Sequence, residues 1–238
     1  MIMVTLQFQQ LDIPPGQQLR LHDINWHQFE AILTELGEHR AARIAYYQRI
    51  LEIRMPLPKH EREKSIISDA IKIILEELEI DYECFGSTTF KRQEMSYGIE
   101  PDDCFYIQNY QVMIGKDRLD LAVDPPPDLA LEIDVTSKTQ SEAYLALGVP
   151  ELWIYQGNEL KIYVLESNQY QEVSQSPTFL QLPIPHLIQE LLKQSQEIGR
   201  SRALRMFRQK ILSWELSFLM VGNAHPTISL GLKIEMGM

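Results

Sequence analysis

The spacing of apolar residues predicts a first helix close to the start of the chain. Its apolar positions follow one another at steps of three and four residues: Trp26, Phe29, Leu33 and Leu36. Asn25 and Gln28 match a capping box at the start of this helix, and Gly37 ends it. The first twenty residues show no clear period and contain Pro14-Pro15-Gly16, which favours an extended lead-in.

A second, longer helix is predicted after Pro58, a residue that can begin a helix but hardly continue one backwards. From His60 onward, its apolar stripe consists of Ile67, Ala70, Ile71, Ile74, Leu75 and Leu78. The opposite face carries Arg62, Asp69, Lys72 and Glu76. One apolar and one charged face are typical of a helix that packs against a protein core.

Strand patterns dominate the rest of the chain. Residues 43–55 alternate and are rich in Ile and Tyr, which predicts a hairpin of two short strands. Further strands are predicted over 82–92, 104–114, 119–123, 129–135, 152–155 and 160–165. Gly157-Asn158 indicates a hairpin turn between the last two, and a helix over 139–147, closed by Gly148, interrupts the series. This order predicts an α/β (α+β) fold with a mixed β-sheet flanked by helices.

The C-terminal part is less regular. Residues 166–195 are largely polar with scattered proline, and 198–212 is predicted to be helical. Arg202, Arg205 and Arg208 share one face of that helix, and a solvated surface is favoured there over a phosphate-contacting one. We expect a lead-in over 1–20, one domain over 21–212 and a C-terminal extension over 213–238.

Composition narrows the class of protein. With 238 residues, 45% hydrophobic and 23% charged, the chain can bury one sizeable core. No apolar run approaches the ~20 residues that span a bilayer, and residues 1–10 lack the features of a secretory signal. Cys84 and Cys104 are not in a CxxC spacing, so we expect reduced thiols in a cytoplasmic protein. The net charge of −11 argues against a protein that coats nucleic acid, but a local basic patch would still allow contact with DNA.

Candidate chemistry lies in the predicted strand 129–135. Because alternate side chains share a face, Glu132 and Asp134 lie on the face opposite the apolar row, about 7 Å apart. Like charges at that distance repel, so a fold keeps them together only in solvent or with a compensating cation. The strand is otherwise apolar, which disfavours full exposure. A divalent metal is a natural compensating cation, although a Glu-x-Asp pair is also common on an exposed strand face.

A third acid, Asp102, follows Pro101 just before the predicted strand 104–114. If the two strands are neighbours, Asp102 meets Glu132 at the sheet edge. Mg²⁺ usually takes one or two protein carboxylates, so this pair would suffice. The plainer interpretation of Asp102 alone is a turn or cap residue. Only the ordered set of acids favours a metal site.

Lys138 is the candidate for a catalytic cation, which would steady the charge that develops on a phosphate. Two capping boxes overlap here, Ser137 with Gln140 and Thr139 with Glu142. If Thr139 is the cap, Lys138 belongs to the loop and can extend toward Glu132. If Ser137 is the cap, Lys138 begins the helix, where the macrodipole disfavours a cation.

An ordered series of motifs resembles a known family. The stretches are Gly98-Ile99-Glu100-Pro101-Asp102, then residues 124–137 (DPPPDLALEIDVTS), then Tyr144 and Gly148-Val149-Pro150-Glu151-Leu152-Trp153. Together with Met55-Pro56-Leu57 and His60-Glu61, this series resembles the Uma-two family of restriction endonucleases, which is placed in the PD-(D/E)XK nuclease superfamily. The resemblance extends from about Trp26 to the Arg202–Arg208 helix.

The resemblance implies a restriction-endonuclease-like core. It assigns the motif aspartate to Asp102, the motif glutamate to Glu132 and the first-helix glutamate to Glu61, with His60 beside it. The superfamily places a lysine two residues after the motif acid, where this chain has Asp134. Related proteins place a lysine four residues before the helix tyrosine, and here that residue is Gln140. Lys138 is the predicted substitute, and Asp134 is either an additional metal ligand or a sign of altered chemistry.

The leading hypothesis is an endonuclease, dependent on Mg²⁺ or Mn²⁺, that hydrolyses DNA phosphodiester bonds. Asp102, Glu132, Lys138, Glu61 and His60 are its predicted catalytic residues, and Asp102, Glu132 and Asp134 its predicted metal ligands. The alternative is a catalytically degenerate nuclease-fold protein that acts as a nucleic-acid-binding or regulatory module. A homodimer would suit cleavage of both DNA strands, but no sequence feature demonstrates one.

Overall fold

A computed structural model of the chain describes residues 10–37, 41–86, 88–93, 96–135 and 137–222. The rest of the predicted lead-in (1–9) and of the predicted C-terminal extension (223–238) lies outside the described residues. The described helices are α1 (Trp26–Leu36), α2 (Pro58–Glu77), α3 (Tyr110–Met113), α4 (Lys138–Leu147), α5 (Ile184–Ile198) and α6 (Arg200–Gly222). None of these helices is both long enough and apolar enough to cross a membrane.

The described strands form two sheets. An antiparallel sheet, which we call the N-terminal sheet, has the order β1 (Gln18–Leu21), β3 (Ile50–Arg54), β2 (Arg43–Tyr47), β6 (Tyr97–Ile99), β5 (Phe90–Arg92). The other, the main sheet, has the order β11 (Gln169–Val173), β10 (Glu159–Glu166), β9 (Glu151–Gln156), β8 (Leu129–Ile133), β7 (Asp103–Tyr106), β4 (Glu83–Cys84). The main sheet is mixed because β8 and β9 are parallel, and α4 supplies the crossover that a parallel pair needs.

Helices cover the sheets in layers. On one face of the N-terminal sheet, Phe29 and Leu33 of α1 pack against Leu51 and Ile53. On its other face, α4 lies between the two sheets, and Tyr144 joins an apolar cluster with residues of both. The far face of the main sheet packs against α2, α5 and α6. Every residue of β8 is therefore buried, because helices cover both of its faces.

Several predictions about these elements are confirmed. The fold is α/β with a mixed sheet flanked by helices, and the hairpin over 43–55 forms β2 and β3. The capping box of Asn25 and Gln28 is present at α1. Gly148 closes α4 in the left-handed conformation.

The predicted strand over 104–114 is wrong beyond Tyr106. The carboxylate of Asp128 accepts the backbone N–H groups of Ile107 (2.6 Å), Gln108 (2.9 Å) and Asn109 (3.3 Å). These bonds turn the chain out of the sheet and into α3. The single sequence could not indicate a turn that is stabilised by an acid about twenty residues further on.

Other predicted elements also differ. Residues 119–123 form a turn instead of a strand, because Asp124 accepts the N–H of Asp120 (2.8 Å) and donates its own to the Asp120 carbonyl (2.7 Å). Within 82–92 the chain forms two short strands in different sheets, β4 and β5. The segment 166–195, which is largely polar and for which no element was predicted, contains β11 and most of α5. The helix predicted over 198–212 begins at Arg200 and continues to Gly222.

Gly148 provides a test of how α4 is held. Its φ of 78° and ψ of 34° lie in the left-handed region, and its N–H donates to the Tyr144 carbonyl. A Cβ would meet nothing within 4 Å, so the effect of a substitution is conformational. We expect Gly148→Ala to lower the free energy of unfolding by about 1 kcal/mol in urea titrations. Gly148→Asn, which tolerates this conformation, should lose less, and equal stability of the alanine variant would contradict the account.

Candidate active site

Strand alternation directs two charged residues of β3 into the protein. Leu51 and Ile53 face α1, so Glu52 and Arg54 face the opposite side, toward α4 and the main sheet. Glu52 is 2% exposed and binds Arg20 and Ser137. Arg54 extends further, to the end of β8. The polar positions of this alternating hairpin thus face an inner layer of the protein instead of solvent.

Glu132 of β8 receives the Arg54 side chain. Its neighbour Ile133 faces α2 and the outer core, so Glu132 faces α4, and it is completely buried. One carboxylate oxygen accepts the Tyr144 hydroxyl at 2.6 Å and the other accepts Nη2 of Arg54 at 3.1 Å. Nη1 of Arg54 donates to the carbonyls of Ile133 (3.1 Å) and Asp134 (3.0 Å). One guanidinium therefore binds a carboxylate and two backbone oxygens at the end of β8.

Burial shifts the pKa values of Glu132, Arg54 and Tyr144. It raises the pKa of Glu132 from its ordinary 4.5 to about 8, and repulsion by Asp102 acts in the same direction, while Arg54 and Tyr144 oppose both. Burial lowers the pKa of Arg54, but attraction by Glu132 and Asp102 outweighs burial, so Arg54 stays a cation. The pKa of Tyr144 is raised well above its ordinary value by burial first and by Glu132 second, which keeps its hydroxyl a donor.

Asp102 lies where the sequence hypothesis required. Strands β7 and β8 are neighbours, with Asp103 opposite Leu131, so the residue before β7 reaches the end of β8. Oδ2 of Asp102 accepts the N–H of Ile133 at 2.8 Å, and Oδ1 is 3.5 Å from Nε of Arg43. The latter contact is an ion pair without hydrogen-bond geometry, and Nε of Arg43 has no hydrogen-bond partner among the described residues.

An arginine pair thus faces the acid pair. Arg43 and Arg54 are direct cross-strand partners in β2 and β3, and like charges in that position repel. Each arginine contacts one acid of the main sheet, Arg43 with Asp102 and Arg54 with Glu132. Arg43 also reaches Glu61 of α2 at 3.3 Å. In this structure the compensating cations of the two acids are arginines from the other sheet.

Asp134 is directed away from Glu132. The prediction that the strand continues to 135, with both acids on one face, is wrong, because β8 ends at Ile133 and Asp134 has a φ of 60°. Its N–H still donates to the Tyr155 carbonyl of β9, so it is the positive φ that redirects the side chain. The Asp134 carboxylate lies 2.7 Å from Nε2 of His60 in α2.

A cavity of about 320 Å³ opens beside these residues. Five charged or titratable side chains line it: Arg54, His60, Glu61, Asp102 and Asp134. The structure therefore brings four of the predicted site residues, His60, Glu61, Asp102 and Asp134, around one space. Glu132 does not line the cavity, since Arg54 stands on the cavity wall and binds it from there.

Lys138 is not part of this group. Ser137 is the cap of α4 and accepts the N–H of Gln140 at 3.2 Å, so Lys138 is the first helical residue. Its side chain is exposed and forms no hydrogen bond or ion pair with any described residue. Gln140 is buried and lines a small void with Arg54. Arg54 and Arg43 were not among the predicted site residues. The only indication of them in the sequence was their place in a hairpin with an alternating pattern.

A family comparison matches most of the chain. The model of the Uma2 family, described as "Putative restriction endonuclease", matches residues 26–195. The chain belongs to this family. The match covers α1 through most of α5, and so includes the main sheet, every strand of the N-terminal sheet except β1, and most of the residues that line the cavity.

Similarity to solved structures is weaker. One crystal structure, of "a putative nuclease belonging to DUF820 from Anabaena variabilis ATCC 29413", is 17% identical with a TM-score of 0.45. It covers 66% of this chain and 91% of its own. No curated protein matches the chain. Membership of the Uma2 family therefore rests on the family model.

The sequence hypothesis predicts a divalent metal held by Asp102, Glu132 and Asp134. Carboxylate and carbonyl oxygens are the ligands that Mg²⁺ accepts, and Asp102 with Glu132 would supply enough of them. Among the described residues, no three side chains of His, Cys, Asp or Glu form a metal cluster. The oxygens that would serve, those of Glu132 and of the Ile133 carbonyl, are bound by Arg54.

Tyr144 should stabilise the Uma2 fold through Glu132. Tyr144→Phe removes the hydroxyl and leaves a fully buried carboxylate oxygen without its donor. We expect the free energy of unfolding to fall by about 1–3 kcal/mol in urea titrations. Tyr155→Phe is the matched control, because the Tyr155 hydroxyl forms no hydrogen bond with a described residue. Equal losses in the two variants would contradict this role for Tyr144.

The raised pKa of Glu132 predicts a pH dependence of stability. The folded state holds a proton that the unfolded chain releases, so stability falls as pH rises between about 4.5 and about 8. Glu132→Gln cannot release that proton. Thermal melts in the presence of a chelator should therefore show a steeper decline for the wild type than for this variant. Parallel curves across that window would show that Glu132 does not hold the proton.

Proposed function

We propose that this chain is an endonuclease, dependent on Mg²⁺ or Mn²⁺, that hydrolyses phosphodiester bonds of DNA. The observation that carries the proposal is the convergence of Asp102 and Glu132, from neighbouring strands, beside a cavity of about 320 Å³. Family membership supports a nuclease in general terms. The identity of the metal and of the nucleic acid belongs to the proposal.

Asp102 and Glu132 would hold the metal, with Asp134 as a further ligand if it leaves His60. A bound divalent ion supplies an activated water and neutralises charge on the phosphate. Arg54 lines the cavity and supplies a cation from the chain itself. Its guanidinium can donate two parallel hydrogen bonds to a phosphate. Arg54 thereby takes the role that the sequence analysis assigned to Lys138.

His60 and Glu61 act at the α2 side of the cavity. The Asp134 carboxylate fixes the position of the His60 ring through Nε2. Glu61 binds Arg43 (3.3 Å) and Lys64 (2.7 Å) and so holds the arginine that faces Asp102. We assign His60 to proton transfer and Glu61 to positioning.

A specific observation favours a second candidate function. Both carboxylate oxygens of Glu132 are already bonded, by Tyr144 and by Arg54. A chain that keeps these bonds would bind nucleic acid at the cavity without hydrolysing it. This is the catalytically degenerate alternative, in which the nuclease fold serves as a binding or regulatory module.

The cellular setting is also part of the proposal. Cys84 and Cys104 are free thiols, as expected in the reducing cytoplasm. The pKa of each thiol is raised, first by burial, so both stay protonated. We propose a cytoplasmic homodimer, because two cavities would allow both strands of a duplex to be cut.

Plasmid cleavage tests the function. The wild type should nick supercoiled DNA with Mn²⁺ and stop when a chelator is added, and Glu132→Ala should lose activity by at least about 100-fold. Lys193→Ala, at an exposed position of α5, should cleave like the wild type. Equal activity of the wild type and Glu132→Ala would refute the proposal.

Two further outcomes of this assay discriminate between assignments. A wild type that retards DNA in a gel but never cleaves it would favour the binding module. Lys138→Ala should retain most activity, and a loss as deep as that of Glu132→Ala would return the catalytic cation to Lys138.

A further inference from the structure

We infer that Arg54 is an internal cation that occupies the metal position and competes with a divalent ion for Glu132 and the Ile133 carbonyl. The inference rests on the proposed function in one respect, that a divalent ion is the ligand of this site. It adds a regulatory contact built into the fold. The chain as folded holds metal weakly because its own guanidinium binds the oxygens that a metal needs.

The guanidinium of Arg54 binds the kind of ligand that a divalent metal would bind. Its partners are oxygens only: one of Glu132 at 3.1 Å, the Ile133 carbonyl at 3.1 Å and the Asp134 carbonyl at 3.0 Å. A hard divalent cation selects the same kind of ligand. Because Tyr144 binds the other Glu132 oxygen, each oxygen of this carboxylate already has a hydrogen-bond donor with which a metal must compete.

The two buried acids beside Arg54 require a compensating cation. Glu132 is completely buried, and Asp102 is 6% exposed, so two acids lie together with little water to screen them. Such a pair needs a cation nearby. Removing Arg54 would leave Glu132 without its only ion-pair partner among the described residues. A divalent ion can then take the place of the guanidinium beside this carboxylate.

Arg54 also lies on the route from the cavity to Glu132. The side chain of Arg54 is 16% exposed and lines the cavity, whereas Glu132 does not. The guanidinium thus stands between the buried carboxylate and the space from which an ion would arrive. Its backbone is fixed in the middle of the N-terminal sheet, with Gln18 on one side and Arg43 on the other. Displacement therefore requires movement of the side chain and not of the strand.

Binding of Mn²⁺ alone, followed by electron paramagnetic resonance, tests the inference without any cleavage assay. Arg54→Met should bind Mn²⁺ at least about tenfold more tightly than the wild type, the scale expected when one charged competitor is lost. Arg54→Gln is the second variant, since it removes the charge but keeps a donor for the buried oxygens. It should show the same gain, and circular dichroism establishes that each variant is folded.

Arg20→Met is the matched control. Arg20 also binds a buried glutamate from the N-terminal sheet, Glu52 at 2.7 Å, but it does not line the cavity. This variant should bind Mn²⁺ like the wild type. The double variant Arg54→Met with Glu132→Gln should lose the gain, because the freed ligand is then absent.

Three results would overturn the inference. They are affinity no greater than wild type in both Arg54 variants, an equal gain in Arg20→Met, and a gain that survives in the double variant. Failure of the proposed nuclease activity is a separate outcome. If no variant cleaves DNA but the Arg54 variants bind Mn²⁺ through Glu132, the competition stands and the catalytic proposal falls.

Discussion

The contact between Arg54 and Glu132 connects the two sheets of this protein at the point where its chemistry is concentrated. Arg54 belongs to β3 of the N-terminal sheet, and Glu132 to β8 of the main sheet. The guanidinium also binds the two carbonyls that end β8, so it fixes the strand end as well as the side chain. The cavity opens beside this contact, Arg54 also binds the Asp134 carbonyl, and Tyr144 binds the other oxygen of the same carboxylate.

Such a contact is costly to build and costly to break. Two charges removed from water repay their desolvation only when the geometry is good and the remaining hydrogen bonds are satisfied. Here Tyr144 satisfies the second carboxylate oxygen, and Arg43 with Asp102 forms a parallel contact next to it. The layer between the sheets therefore combines an apolar cluster with a line of paired charges. This arrangement sets the relative position of the sheets more strictly than apolar packing alone, which tolerates sliding.

The sequence predicted elements whose determinants are local. The capping box at Asn25, the hairpin of β2 and β3 and the left-handed Gly148 depend on residues a few positions apart. Asp102 and Glu132 were also placed correctly as neighbours, because strand ends of adjacent strands meet at one edge. What the sequence could not indicate depends on distant partners. Asp128 ends the strand before α3, and the Asp134 carboxylate pairs with His60, which lies more than seventy positions earlier in the chain.

The cation that faces Glu132 illustrates the same limit. Lys138 is near Glu132 in the sequence and was chosen for that reason, whereas Arg54 is 78 positions away and lies close in space. Alternation in residues 43–55 was visible, but the pattern does not tell whether its polar face meets solvent or another sheet. That distinction arises only when α4 and the main sheet cover the face. A charged residue within a short, otherwise apolar hairpin, such as Arg54, is therefore a candidate for a buried contact.

The pairing of arginines in one sheet with acids in the other also constrains how the protein can change over generations. Replacing any one of Arg43, Arg54, Asp102 or Glu132 alone leaves its partner without its counterpart in a buried layer. Viable lineages should then exchange these residues as a coordinated set, or first pass through a neutral pair. The interface between the sheets would thus behave as a single inherited unit, although its members lie on four separate strands or strand ends.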